Sequence, residues 1–204
     1  MVFSFGEIVD IVIMTLILGF IFGDMFKRGD HRFSHVIKQD DADYSPVEEL
    51  RKKYERGGVN MEGMLFAIAV IAPAIILHEF GHKFVAMAFG FQATFEAAYL
   101  GLAIGLVLKL LNAPFIVFVP AFVSYSAAAS PLQSSAIAFA GPLVNLLLFV
   151  AAFFLLKYAK IDKKYVPFLV LTKNINLFLF VFNMIPIVPF DGGHVFGGLF
   201  NLFF

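Results

Sequence analysis

The sequence predicts an α-helical polytopic membrane protein. It should have about four full transmembrane helices, with a re-entrant helix and β-strand region between the second and the third. Three observations carry this. The chain is 60% hydrophobic, with a mean hydropathy of +0.87, above the usual composition of a soluble domain. The excess is gathered into blocks near the roughly 20 residues that a helix needs to cross a bilayer. Most of the charge falls in one segment, residues 24–62. The 15 basic and 15 acidic residues cancel, so there is no basic footprint for nucleic acid. The absence of cysteine excludes disulfides and thiolate-bound metals. With 28 Phe and no Trp, an interfacial aromatic belt has to rely on Tyr.

The elements follow in order. Ile8 to Phe22, IVDIVIMTLILGFIF, reads as the first span. It lacks a basic leader and a small-residue cleavage site, so it is expected to be a retained anchor. Asp10 is tolerable there if it lies near the interface. The segment 24–62 is too charged to span. Within it, SPVEELRKKYERGG has the marks of a short helix, with Ser45 as N-cap, Pro46 first, Glu48 in the capping-box position and Gly57-Gly58 as the stop. The second span runs from about Met64 to Phe89, where Pro73 should kink the helix or free carbonyls. From Gly90 to Ser135 the chain is apolar but broken. YLGLAIGLVLKLLN is a short helix and PFIVFVPAFVSYSA is extended. Such backbone survives at membrane depth only if protein buries it or it lines a wet cavity. A strand edge there could accept another strand. The third span is about Ser135 to Lys157, and the fourth about Val166 to Ile185. Pro186, Pro189 and Gly192-Gly193 then break the helix. Three regions result: an N-terminal transmembrane helix (1–23), a polar loop with a short helix (24–62), and a membrane core (63–204).

The second span contains IILHEFGHKF, residues 75–84. Ionisable groups at that depth cost at least a few kcal/mol, so something must compensate them. On a helix, His78 and His82 are four apart and share a face. Two neutral imidazoles suit zinc, and Glu79 can touch a water held there, as in metalloproteases with H-E-x-x-H. The plainer alternative is a pair of helix-interface histidines, with Glu79 paired to Lys83 or Lys109. A catalytic zinc needs a third protein ligand. His31 and His35 lie in the polar loop, and Asp162 sits among lysines. Asp10 and Glu96 have no motif behind them. Asp191 stands at membrane depth in NMIPIVPFDGGHVF, where prolines and glycines can aim its carboxylate.

HEFGH in an early membrane helix, together with N-x-x-P-x-x-P-x-D-G-G near the end, resembles the site-2 protease family of intramembrane zinc metalloproteases (peptidase M50-like). The AGPLVN sequence between them fits the family's middle core helix. The resemblance covers roughly residues 63–204, making that region an intramembrane metalloprotease core with its active site inside the membrane. It implies one Zn2+ per chain held by His78, His82 and Asp191. Glu79 would be the catalytic acid/base, and Asn183 would steady the bound peptide or the oxyanion. Asn145 would stand beside the ligands or make a structural hydrogen bond, and His194 would be a gate or a surface histidine. Residues from about Phe115 to Ser126 would receive an unwound substrate backbone. The implied partners are the lipid bilayer and a transmembrane protein or peptide substrate, at the cell membrane. The family orientation places the site nearer the cytosol with residues 24–62 outside. The positive-inside rule instead prefers Lys157, Lys160, Lys163 and Lys164 inside. A membrane metal transporter or channel would need more polar residues along the spans than are present. A catalytically silent relative need not keep Glu79.

Overall fold

The computed structural model describes residues 2–26, 60–113, 116, 118–125 and 129–203. The expected helix after Ser45, His31 and His35 lie outside the described residues, as does part of the expected platform.

Helix α1 is Phe5–Phe22. It begins earlier than the apolar run because of a reciprocal cap. Ser4 Oγ accepts from Glu7 N–H (3.2 Å), and Ser4 N–H donates to Glu7 Oε2 (2.7 Å). A 3₁₀ turn, Gly23–Phe26, follows. Helix α2, Met61–Ala88, runs unbroken through Pro73. Its N-cap Asn60 accepts from Gly63 N–H (3.2 Å) and donates Nδ2 to the Gly23 carbonyl (3.0 Å). The chain therefore leaves α1 and enters α2 at one place.

Strand β1, Ala93–Ala97, and helix α3, Tyr99–Leu110, come next, then strand β2, Ala121–Tyr125. The strands pair antiparallel, with Ala93 opposite Tyr125 and Glu96 opposite Phe122. The expected extended segment contains β2. Its partner ATFEA was not foreseen, because only pairing makes those five residues a strand.

Helix α4 is Pro131–Tyr158, with Ser130 and Gln133 forming a second capping box. A 3₁₀ turn, Lys163–Tyr165, leads into α5, Val166–Asn183. The break after α5 falls where the prolines predict it, but the helix resumes as α6, Asp191–Phe203. Among the described residues, four helical stretches are long and apolar enough to cross a membrane: Phe5–Phe26, Met61–Ala88, Pro131–Tyr158 and Lys163–Asn183. The architecture is that of a polytopic helical membrane protein with a small two-stranded sheet.

Helix α4 packs against α2, α5 and α6, while α1 packs against α2 and β1. Lipid tails supply no hydrophobic drive between helices, so close packing has to come from small residues. A Cβ at Gly81 would stand 2.6 Å from the Ala140 carbonyl oxygen, and one at Gly19 would stand 2.5 Å from Ile68 Cγ1. Met14 and Leu18 of α1 share a buried cluster with Phe95, Ala97, Leu102 and Ala121. That cluster seats the sheet and α3 against the first helix.

Candidate metal centre

The spacing in α2 puts His78 and His82 on one face, turned toward α4 and α6, and both are buried. Their Nε2 atoms lie 3.1 Å apart. Asp191, the first residue of α6, brings Oδ2 to 3.1 Å from His78 Nε2 and Oδ1 to 3.4 Å from His82 Nε2. The prolines and glycines before and after it turn the chain back from α5, so a carboxylate far away in sequence meets the two imidazoles.

The hydrogen-bond inventory shows what these atoms need. His82 Nδ1 meets the Ile137 carbonyl at 2.7 Å. A carbonyl only accepts, so Nδ1 carries the proton and Nε2 of the neutral ring is a lone pair. His78 Nδ1 meets Asn145 Oδ1 at 2.6 Å. The amide orientation of Asn145 is fixed, because its Nδ2 donates to the Ala74 carbonyl (3.1 Å) and to Asn176 Oδ1 (2.9 Å). Asn176 is fixed in turn by donating to the Thr172 carbonyl (2.8 Å). His78 Nε2 is therefore an acceptor as well. Two lone pairs and a carboxylate converge with no hydrogen between them. A proton on one imidazole would relieve some of these contacts; a dication relieves all of them.

The donor set fits zinc. Zinc–nitrogen and zinc–oxygen distances near 2.1 Å in a tetrahedron separate ligand atoms by about 3.4 Å, close to the 3.1 Å between the two Nε2 atoms and to the 3.1 and 3.4 Å from them to the two Asp191 oxygens. Histidines that hold a metal characteristically give their other N–H to a carbonyl or carboxylate, as both rings do here. The backbone leaves room as well. A Cβ at Gly141 of α4 would fall 2.3 Å from His82 Nε2, 2.6 Å from His82 Cε1 and 2.7 Å from His78 Nε2, so a side chain there would collide with both imidazole rings. His78, His82 and Asp191 are the group of three that could hold a metal ion among the described residues.

A cavity of about 790 Å³ opens on this cluster, and Glu79, Asn183 and His194 line it together with residues of β2. Glu79 is itself buried. The other carboxylates considered from the sequence go elsewhere. Glu96 accepts from the Ser124 hydroxyl across the sheet, and Asp10 accepts from Ala97 N–H (3.1 Å). Asp162 pairs with Lys164 at the surface (3.4 Å). Asp10 is thus a partner of β1. Neither Lys83 nor Lys109 is the partner of Glu79: Lys83 pairs with Glu7, and Lys109 with Asp24. Sequence reasoning missed Asn176, although a buried asparagine midway along an apolar span was the available signal.

Apolar helices around two histidines and a carboxylate on a helical H-E-x-x-H define a membrane protein with the donor set of a metallopeptidase. The chain matches Peptidase family M50 over residues 66–162. It is 36% identical over 138 residues to a Methanocaldococcus jannaschii protein named "Putative zinc metalloprotease", covering 67% of this chain and 72% of that protein. A Synechocystis protein of the same name is 29% identical over 133 residues, 65% of this chain and 30% of the relative. No solved structure matches the chain. The chain belongs to peptidase family M50.

Proposed function

We propose that the protein is an intramembrane zinc endopeptidase that hydrolyses peptide bonds within or next to transmembrane segments of other membrane proteins. The observation that carries this reading is the convergence of His78, His82 and Asp191 as acceptors on one point of a cavity that Glu79 also lines. His78, His82 and Asp191 would hold one zinc ion per chain. Bound zinc would supply a Lewis acid and make water acidic enough to react near neutral pH. Glu79 takes the proton of the attacking water and passes it to the leaving amine. Asn183 donates its amide N–H to the bound peptide or to the carbonyl oxygen as charge develops there. Burial of the cavity raises the worth of each of these contacts, because little water competes.

A transmembrane helix hides its peptide bonds, so the substrate has to unwind before water can reach one. The edge of β2, in the same cavity wall, supports a reading in which the unwound segment adds as a strand and recovers its backbone hydrogen bonds. The multi-pass chain would act in the cell membrane.

The test combines metal content and cleavage. Purified protein should hold about one zinc per chain, the content of a mononuclear site, and Asp191→Ala should lose most of it. Glu79→Gln should keep the zinc and abolish cleavage of a membrane-spanning peptide. Undiminished cleavage by Glu79→Gln would overturn the mechanism, and zinc fully retained by Asp191→Ala would remove Asp191 from the ligand set.

A further inference from the structure

Glu7 and Asp10 lie one turn apart on α1, and both carboxylates reach β1. Glu7 Oε1 accepts from Phe95 N–H (2.8 Å), and Asp10 Oδ2 accepts from Ala97 N–H (3.1 Å). Asp10 Oδ1 also accepts from the Tyr99 hydroxyl (2.5 Å). Along an antiparallel strand, successive residues turn their backbone groups to opposite edges. Ala98 N–H bonds to the Pro120 carbonyl (3.0 Å), so Glu96 and Thr94 face β2 while Ala97 and Phe95 face away. The two N–H groups that α1 occupies are therefore those an added strand would need on the outer edge of β1.

The other edge is different. By the same alternation, Ala121, Val123 and Tyr125 turn their backbone groups away from β1, and all three line the cavity that holds His78, Glu79 and His82. The sheet has two strands, so β2 has no second strand neighbour among the described residues. Glu7 is also anchored to the motif helix. It is buried, and it pairs with the buried ammonium of Lys83, the residue after His82.

We propose that Glu7 and Asp10 are positioning residues that seal the outer edge of β1, standing in for a strand, so that an extended substrate segment pairs only with β2. The proposal rests on the strand-addition reading above. Neighbouring strands lie about 4.8 Å apart, so a peptide on the wrong edge would sit three strand spacings from one on the right edge, roughly 14 Å. That displacement takes the scissile bond away from Glu79 and the metal ligands. A carboxylate suits the sealing task. It only accepts, so it satisfies edge N–H groups without offering a donor to an incoming carbonyl. Multiple hydrogen bonds, and for Glu7 an ion pair, offset its cost at membrane depth. The proposal also gives α1, which precedes the residues matched to the family, a part in the reaction.

The chain has no cysteine, so single cysteines can report on each edge. Glu96 and Phe122 are opposite each other on one rung, one beside each edge. The full chain carrying Glu79→Gln, to keep the peptide intact, is reconstituted with zinc. The probe is a synthetic single-span peptide that has a Gly-Pro break and one cysteine next to it. Disulfide formation at Phe122→Cys should be at least about fivefold faster than at Glu96→Cys, the factor that one net hydrogen bond supplies. Adding Asp10→Ala should raise the Glu96→Cys rate by a similar factor. Asp10→Asn, which keeps an acceptor oxygen, should not. Zinc content should be unchanged in both Asp10 variants.

Equal rates at the two cysteines with Asp10 intact would overturn the proposal, as would an Asp10→Ala chain in which Glu96→Cys stays slow. Loss of zinc on Asp10→Ala would make Asp10 a general fold residue and overturn it too. No disulfide at either position would sink the strand-addition reading, and the sealing proposal with it. Cleavage by the Glu79 parent, measured separately, decides the peptidase reading.

Discussion

Two buried polar clusters lie on opposite sides of the motif helix, and they close their accounts differently. On one side, His78, His82 and Asp191 present acceptors to one another with no donor between them. On the other, Glu7 faces Lys83 and two backbone N–H groups, so its charge and its lone pairs are met from within the chain. Both are ionisable groups inside apolar helices, and burial alone would mark both as sites. The difference is whether the inventory of donors, acceptors and charges is complete. An incomplete inventory calls for a ligand, and a complete one holds structure together.

The comparison can be broken most sharply at Gly141. Gly141→Ala drives a methyl group into both imidazole rings and displaces them, so bound zinc should fall from about one per chain to near zero. Metal analysis after dialysis measures this, and full zinc content in the variant would mean that the cation sits elsewhere. The second cluster responds through stability instead. Glu7→Ala leaves the Lys83 ammonium buried and unpaired, at a cost of about 3–5 kcal/mol. Glu7→Leu with Lys83→Met should recover most of that loss, and denaturant unfolding in mild detergent reads the difference. A double variant no more stable than Glu7→Ala would argue that the pair is more than charge compensation.

Smaller effects sharpen the contrast. Asn176→Ala removes one of the two acceptors that fix the Asn145 amide, leaving the Ala74 carbonyl, so the His78 tautomer is held less firmly. Zinc affinity should fall about 10- to 100-fold, with the fold intact, as competition with a chelator would show. At the exposed end of the scale, Asp162→Ala removes a surface pair with Lys164 and a cap on a 3₁₀ turn. Its effect on stability should stay within about 1 kcal/mol.

The cluster that needs a ligand was the more legible in sequence. His78 and His82 are local, four apart on one helix, and Asp191 is marked by its prolines and glycines at membrane depth. The spans were legible too, because hydropathy over some 20 residues is a strong signal. Their starts were less so, since Ser4 and Ser130 set them through capping boxes outside the apolar runs. The self-contained cluster was hidden. Glu7 and Phe95 are 88 residues apart, and Glu7 and Lys83 are 76 apart, with no motif at either end. ATFEA has two alanines and a glutamate and little intrinsic strand preference. It becomes β1 only because β2 pairs with one edge and α1 caps the other. Helix α6 was concealed for a related reason: Gly192-Gly193 reads as a breaker, yet Gly192 is where the helix start passes the carbonyls of Met184 and Ile185 with no room for a side chain.

The hydrogen bond from Asn60 to the Gly23 carbonyl has a practical consequence. It clasps the exit of the first span to the entrance of the second, so the charged segment between them begins and ends at the same point. The same side chain caps α2, so one residue both starts the second helix and holds it to the end of the first. Asn60→Ala would remove the clasp and the cap together, and should cost about 1–2 kcal/mol in denaturant unfolding.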